Sequence, residues 1–367
     1  MNERKQTIFL DSPLALASGQ TLSDPHLAVE TYGVLNADRS NAILVCHGMT
    51  NSQNAGGSPA QDGVKPWWDC AIGAGKMLDT NRYFVICANV PAGSGGSISP
   101  ASKNPETGRP YGMDFPVIRI ADMADAQARL LDHFGIEKLA LAIGGCMGGF
   151  QVLEFARRHH DRLNRAIAIS ATASTSAYTI ALWELMRQAV YADPNWQDGQ
   201  YYAGTPPLQG IGMTAMIGSV LWLDRETLAA KFGRAPASET PPETTQKFAP
   251  EFAVEQFLAQ VRARATLRFD PNSLLYLTKA VDLYDLAAGY DSLQVAVAAI
   301  KAPVLLVSYE SDWRYPRDEI ATLAEALHTA DVPVRHAHLH SEFGHGAFQF
   351  DVSALTPEVQ AWLTPPE

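Results

Sequence analysis

Hydrophobic and polar positions along the chain change rhythm twice. Residues 7–34 alternate apolar and polar side chains, most clearly in HLAVETYG, and predict opening strands with one face wet. From residue 42 the apolar positions gather into short continuous runs: AILVC at 42–46, FVICANV at 84–90, LALAI at 139–143 and AIAIS at 166–170. Runs of that length without alternation predict strands buried on both faces. Between them lie helical patterns. Residues 122–134 carry Leu130, Leu131 and Phe134 on one stripe and stop at Gly135, and the helix after residue 146 ends near His160. Beyond Thr172 the alternation breaks off. Stretches such as YTIALWELMRQAVY, LQGIGMTAMIGSVLW, RETLAAKFG, PEFAVEQFLAQVRARAT and NSLLYLTKAVDLYDL predict helices, with a loop at 235–250 and no convincing strand. Strand and helix resume with PVLLVS at 303–308, a helix at 319–328, a strand at 336–339 and a last helix at 357–363. Buried strands alternating with helices predict an α/β core with a mostly parallel sheet flanked by helices. Its expected extent is 1–172 and 296–367, interrupted by a helical lid at 173–295.

Composition narrows the function classes. The 367 residues are 47% hydrophobic, enough for a large core, and no apolar run is long enough to span a bilayer. A formal net charge of -11 without a basic tract argues against nucleic acid and against anionic membrane surfaces. The first residues, MNERKQTIFLDSPLAL, offer only a brief apolar patch broken by Asp11, so no signal peptide is expected. The four cysteines, Cys46, Cys70, Cys87 and Cys146, lack metal-finger or CxxC spacing, and a reducing cytoplasm is the expected setting. No metal site is expected.

The candidate chemistry starts at LALAIGGCMGGF, residues 139–150. An apolar strand runs into Gly144-Gly145-Cys146-Met147-Gly148-Gly149 and then into a helical pattern. This fits G-x-S-x-G, the strand–turn–helix elbow that presents a nucleophile, with cysteine at the serine position. A side chain two residues before or after the nucleophile would collide across so tight a turn, which is why glycine is wanted there. The turn also sets Cys146 on a helix N-terminus, where unpaired N–H groups and the dipole favour thiolate. A glycine-rich crossover with an inert buried cysteine is the competing reading. Its partners decide between them. Asp312 follows the strand PVLLVS, and His345 follows the next strand. The order nucleophile, acid, base, each just past a strand's C-terminal end, is that of the α/β-hydrolase fold. The strand at 42–46 runs into His47-Gly48-Met49-Thr50. A backbone N–H of Met49 or Thr50, with that of Met147, is the expected oxyanion hole. GAGK at 73–76 is no phosphate-binding loop, because Cys70 stands where its first glycine belongs. The glycine-rich loop at 91–116 is long enough to be expected to line a site or a partner surface.

Several stretches resemble the homoserine O-acetyltransferase family, an acyl-CoA-dependent branch of the α/β-hydrolase fold. They are WWDCAIGAGKMLDTNRYFVICANV, NPETGRPYGMDFP, GGCMGGFQVLEFA, RFDPNSLLYLTKAVDLYD, SDWRYP and FGHGAF, spread over residues 40–350. The resemblance implies a helical lid over the sheet, an acyl tunnel between lid and core, a homodimer through the lid and ping-pong transfer through an acyl-enzyme. Three departures accompany the cysteine. The family's lid arginine falls on Ala215, a nearby tyrosine on Trp222, and the acidic residue after the catalytic histidine on Gly346. In the family these positions face an amino-acid acceptor, whose carboxylate and ammonium need opposite charges when buried. Here both counter-charges are missing, so homoserine is not the expected acceptor, although Arg225, Arg314 and Arg317 are unplaced.

The expectation is an acyltransferase working through a Cys146–His345–Asp312 triad. It needs no resident cofactor, with acyl-CoA as a possible co-substrate and small-molecule donor and acceptor. The alternatives are an esterase or thioesterase on the same scaffold and a non-catalytic binding protein.

Overall fold

The computed structural model describes residues 3–59, 63, 65–238, 249–264 and 269–364. Eight strands form one sheet: β1 Glu3–Phe9, β2 His26–Tyr32, β3 Ala42–Cys46, β4 Phe84–Ala88, β5 Leu141–Gly145, β6 Ala166–Ile169, β7 Val304–Tyr309 and β8 Val334–Leu339. Their spatial order is β1-β2-β4-β3-β5-β6-β7-β8. β1 pairs antiparallel with β2 and β2 with β4, and every later pairing is parallel. Parallel strands need crossover helices, and helices on both faces leave no wet side, so β3 to β7 are buried at every residue. β8, at the sheet edge, is only partly buried.

Two crossover helices frame the centre. α1, Ile120–Phe134, starts two residues before the predicted position and ends at Gly135, whose φ of 63° suits glycine. α2, Met147–Arg158, follows β5 directly.

Between β6 and β7 the described residues hold helices and no strand. These are α3 Ala177–Tyr191, α4 Leu208–Trp222, α5 Arg225–Phe232, α6 Ala253–Ala263, α7 Pro271–Asp282 and the short α8 Leu293–Val297. Side chains of Ser176, Asp224 and Asp270 accept the N–H groups that open α3, α5 and α7. Residues 239–248 of the predicted loop, and 265–268 at the predicted end of α6, lie outside the described residues. α7 is buried along most of its length, and its Tyr276 hydroxyl donates to the Met113 carbonyl at 2.9 Å. The long loop at 91–116 packs against α7, and of the two places expected for it, a site or a partner surface, the cavity described below is not one: none of its residues borders that cavity. α9, Arg317–Thr329, lies between β7 and β8, and α10, Leu355–Leu363, follows β8.

Candidate active site

Cys146 sits in the one-residue joint between β5 and α2, with φ 58° and ψ -129°. Such a backbone costs a non-glycine residue about 1–3 kcal/mol and persists only where its surroundings dictate it. The glycines on either side show what dictates it. A Cβ on Gly144 would stand 2.6 Å from the Cys46 carbonyl oxygen, and one on Gly148 would overlap that same oxygen. Strand β3 and the elbow thus nest backbone against backbone. The Cys146 N–H donates to the Ile169 carbonyl at 3.0 Å, fixing the turn to β6 as well.

His345 lies in a short 3-10 turn, Gly344–Gly346, and Asp312 in the loop after β7. His345 Nδ1 donates to Asp312 Oδ2 at 2.9 Å, and both side chains are fully buried. The other Asp312 oxygen accepts the N–H groups of Arg314 at 3.1 Å and Tyr315 at 3.2 Å. Rings of Tyr315, Trp222 and Phe348 pack around the imidazole at 5.1, 5.5 and 6.0 Å between centroids. The Trp68 indole holds the segment from across the core by donating to the Phe348 carbonyl at 2.8 Å. His345 Nε2 is buried without a hydrogen-bond partner.

Burial alone would raise the Cys146 thiol pKa. The positive field of His345, then that of Arg314, outweighs burial and holds the thiol below its ordinary range; the Met147 N–H facing the sulfur acts the same way. Burial would lower His345, but the Asp312 carboxylate and the sulfur raise it well above an ordinary imidazole. Asp312 stays low because His345 overcomes its burial. The geometry therefore favours a thiolate–imidazolium pair backed by a carboxylate. The other cysteines go the opposite way: burial pushes Cys46 up to about 12 and Cys87 well above the usual thiol range. Cys70 is raised less.

Cys146 opens onto a cavity of about 690 Å³ between the strand ends and the helices α3, α4 and α5. Its walls include Gly48, Met49 and Thr50 on one side, and Trp183, Ala215 and Trp222 on the other. Met49 and Thr50 are thus brought beside Cys146 and the first N–H of α2. The fully buried His47 pins that loop: Nδ1 lies 2.8 Å from the Gly48 carbonyl, and Nε2 accepts the Val90 N–H at 3.1 Å. Burial lowers its pKa to about 4, so it is a neutral fastener.

Two expectations need correction. Gly346 does not line the cavity. A Cβ there would lie 2.7 Å from the Phe350 ring and 3.1 Å from Trp222, so aromatic rings fill the space an acidic side chain would need. Nor has the pocket lost every cation. Arg314, left unplaced by the sequence, is 3% exposed and lines the cavity. Its only signal was its position two residues after Asp312. Arg225 and Arg317 are exposed and lie elsewhere.

A family model for the alpha/beta hydrolase fold matches residues 41–348. The chain is 43% identical over 357 residues to a homoserine O-acetyltransferase of Methanosphaerula palustris, covering 97% of this chain and 72% of that one. It is 42% identical over 361 residues to one of Geobacter metallireducens, covering 98% and 96%. Among solved structures it resembles homoserine O-acetyltransferase from Bacillus anthracis, with a TM-score of 0.90 and 29% identity over 100% of this chain and 98% of that one. It also resembles esterase E22, with a TM-score of 0.88 and 27% identity over 99% and 100%.

Proposed function

The chain belongs to the homoserine O-acetyltransferase family of the α/β-hydrolase fold, and from that premise we propose an acyltransferase that carries its acyl group as a thioester on Cys146. The observation that carries this reading is the buried Asp312–His345 pair with its free Nε2, beside a pKa-lowered cysteine on an elbow that opens into a cavity.

In the first half-reaction the Cys146 thiolate attacks the carbonyl of a thioester donor such as acyl-CoA. The oxyanion meets the N–H of Met147 and that of Met49 or Thr50, each such donor being worth about 2.7–4 kcal/mol in the transition state. Collapse breaks the bond to the donor's thiolate, which takes the proton from His345 Nε2 and leaves. In the second half-reaction neutral His345 accepts the proton of an acceptor hydroxyl, whose oxygen attacks the acyl carbon. The Cys146–acyl bond breaks, returning thiolate and imidazolium. Asp312 holds the imidazole's orientation and stabilises its charged form. The helices α3 to α6 serve as a lid that limits water. They also carry a homodimer contact, supported by Tyr178 and Leu185, each 58% exposed.

The acceptor in this reading is not homoserine. Among the described residues no carboxylate lines the cavity to receive an ammonium group, and the positions to which the resemblance assigns the family's arginine and tyrosine, Ala215 and Trp222, are both in the wall. An unpaired buried charge costs several kcal/mol, so homoserine should be at least about a thousandfold poorer than the best acceptor. The assay supplies acetyl-CoA with homoserine or a panel of hydroxy compounds, and follows free CoA and acylated product together. Efficient O-acetylhomoserine formation would overturn the acceptor assignment. The likeness to esterase E22 favours hydrolysis as the second reading, and CoA release without any acylated acceptor would select it.

A further inference from the structure

Tyr315 packs against the triad without lining the cavity. It is 1% exposed, and three contacts fix where it points. Its N–H donates to Asp312 Oδ1 at 3.2 Å, its ring centre lies 5.1 Å from that of His345, and the Phe150 ring of α2 meets it in a T-shaped contact at 5.7 Å. The phenolic oxygen at the far end is buried with no hydrogen-bond partner. A hydroxyl held in that way costs about 1–3 kcal/mol, unless some state of the protein gives it a bond. The charged groups that act on it are Arg314, the Cys146 sulfur and Asp312. Arg314 lies over the Trp183 ring, 4.2 Å from its centre, and 5.2 Å from the centre of the Tyr315 ring. A guanidinium has donors only, so it can offer the phenolic oxygen a bond but cannot take the phenolic proton. Asp312 has committed one oxygen to His345 and the other to two backbone N–H groups. That leaves the sulfur. Burial raises the pKa of the phenol itself above its ordinary value, so it stays protonated and remains a donor.

We propose that the Tyr315 hydroxyl donates to the Cys146 sulfur whenever that sulfur carries negative charge, which makes Tyr315 a catalytic residue that eases departure of the thiolate from the acyl-enzyme. This role rests on the acyl-transfer reading above. A thioester sulfur is a poor acceptor and a thiolate a good one, so the bond strengthens as the bond between sulfur and acyl carbon breaks. Only an interaction that is stronger in the transition state than before it speeds a step. The second half-reaction meets that condition. The acceptor oxygen bonds the acyl carbon, His345 takes its proton, and the electron pair of the breaking bond comes to rest on the sulfur. There it is faced by His345, Arg314, Tyr315 and the Met147 N–H. The first half-reaction gains little, because its thiolate already holds the hydrogen bond before it attacks. Tyr315 reaches the sulfur from outside the cavity wall, so the acyl group does not displace it.

Tyr315→Phe removes the oxygen and keeps the ring, and two readouts test it. The first needs no acyl chemistry. The rate of Cys146 alkylation by iodoacetamide should begin its rise about one pH unit later, a roughly tenfold loss of thiolate below that point. The second uses acetyl-CoA as donor and hydroxylamine as the acceptor probe. Acetylation of Cys146, read by protein mass, should slow by no more than about threefold, and transfer to hydroxylamine by about tenfold, so that acetyl-enzyme accumulates at steady state. Tyr284→Phe is the control. Its hydroxyl is also buried without a partner and its ring stacks on Phe150 at 4.1 Å, yet the groups that act on it do not include Cys146. It should leave the alkylation profile in place. An unchanged profile in Tyr315→Phe, an equal shift in Tyr284→Phe, or equal slowing of both half-reactions overturns the proposal. A shifted profile with no acetylation of the parent protein would sink the acyl-transfer reading and keep the hydroxyl–sulfur bond. Should Tyr315→Phe fail to fold, 3-fluorotyrosine at position 315 supplies the second measurement. As a stronger donor of nearly the same shape it should move the rise to lower pH, and no movement overturns the proposal.

Discussion

Cys46 ends β3 and Cys146 directly follows β5, two neighbouring parallel strands, with Cys46 paired in register to Gly144. Both are buried, at 0% and 4% exposure. Their chemistry is opposite. Cys46 continues an extended strand, its thiol donates to the Gln127 side-chain oxygen 3.8 Å away, and burial pushes it up to about 12. Cys146 stands at a left-handed joint, at the head of a helix, between His345 and Arg314, and its thiol is lowered. Burial is common to both and cannot be what separates their thiols. The difference comes from a turn that gives the sulfur a helix N-terminus and from cations delivered by loops after distant strands.

Removing the cation should erase most of that difference. His345→Ala takes away the positive field, the proton carrier and the packing partner of Asp312. Acyl transfer should fall by about four orders of magnitude, as it does when a general base of this kind is disabled. The alkylation profile of Cys146 should change with it. In the native protein the lowered Cys146 pKa makes thiolate available below the ordinary thiol value of about 8.5. The raised His345 pKa keeps its partner charged until the pH climbs past that higher value. The rate with iodoacetamide should therefore rise early and level off between the two. In His345→Ala the rise should move to higher pH, towards the behaviour of Cys46. An unchanged profile would show that His345 does not set the thiol's acidity.

Disturbing the turn should cost less. Gly148→Ala puts a methyl group on the Cys46 carbonyl, and one strand end or the other must yield. A loss of about 1–3 kcal/mol in denaturant unfolding is expected, together with a drop in transfer rate as the elbow shifts. A variant as stable and active as the parent would mean that the two strand ends are not held against each other as described.

Much of this contrast was legible in the chain itself. The elbow announced itself because a buried strand, four glycines and a helix leave few ways to turn. The pairing of Asp312 with His345 was legible because each follows a strand of recognisable apolar run. The helix at 208–222 has the predicted boundaries. What could not be read depends on packing between segments far apart in sequence. Gly346 was expected to face the cavity, but Trp222 and Phe350 close over it. The loop at 91–116 was expected at a site or a partner surface, and it packs against α7 without bordering the cavity. Arg314 was a charge without an address until Trp183, some 130 positions earlier, supplied its platform.

The smallest effect belongs to the other side of the comparison. Cys46→Ala removes a sulfur from the core and should lower stability by about 1 kcal/mol while leaving acyl transfer and the alkylation stoichiometry of the native fold unchanged. Loss of activity without unfolding would mean that Cys46 takes part in the chemistry.

The most direct measurement is the intact mass of the protein after brief exposure to an acyl-CoA without acceptor, followed by peptide mapping. A single acyl adduct on Cys146, absent in Cys146→Ala and removed by hydroxylamine as a thioester should be, is the predicted result. No adduct with any acyl-CoA, or an adduct on Cys46, Cys70 or Cys87 in its place, would contradict the assignment of Cys146 as the acyl carrier.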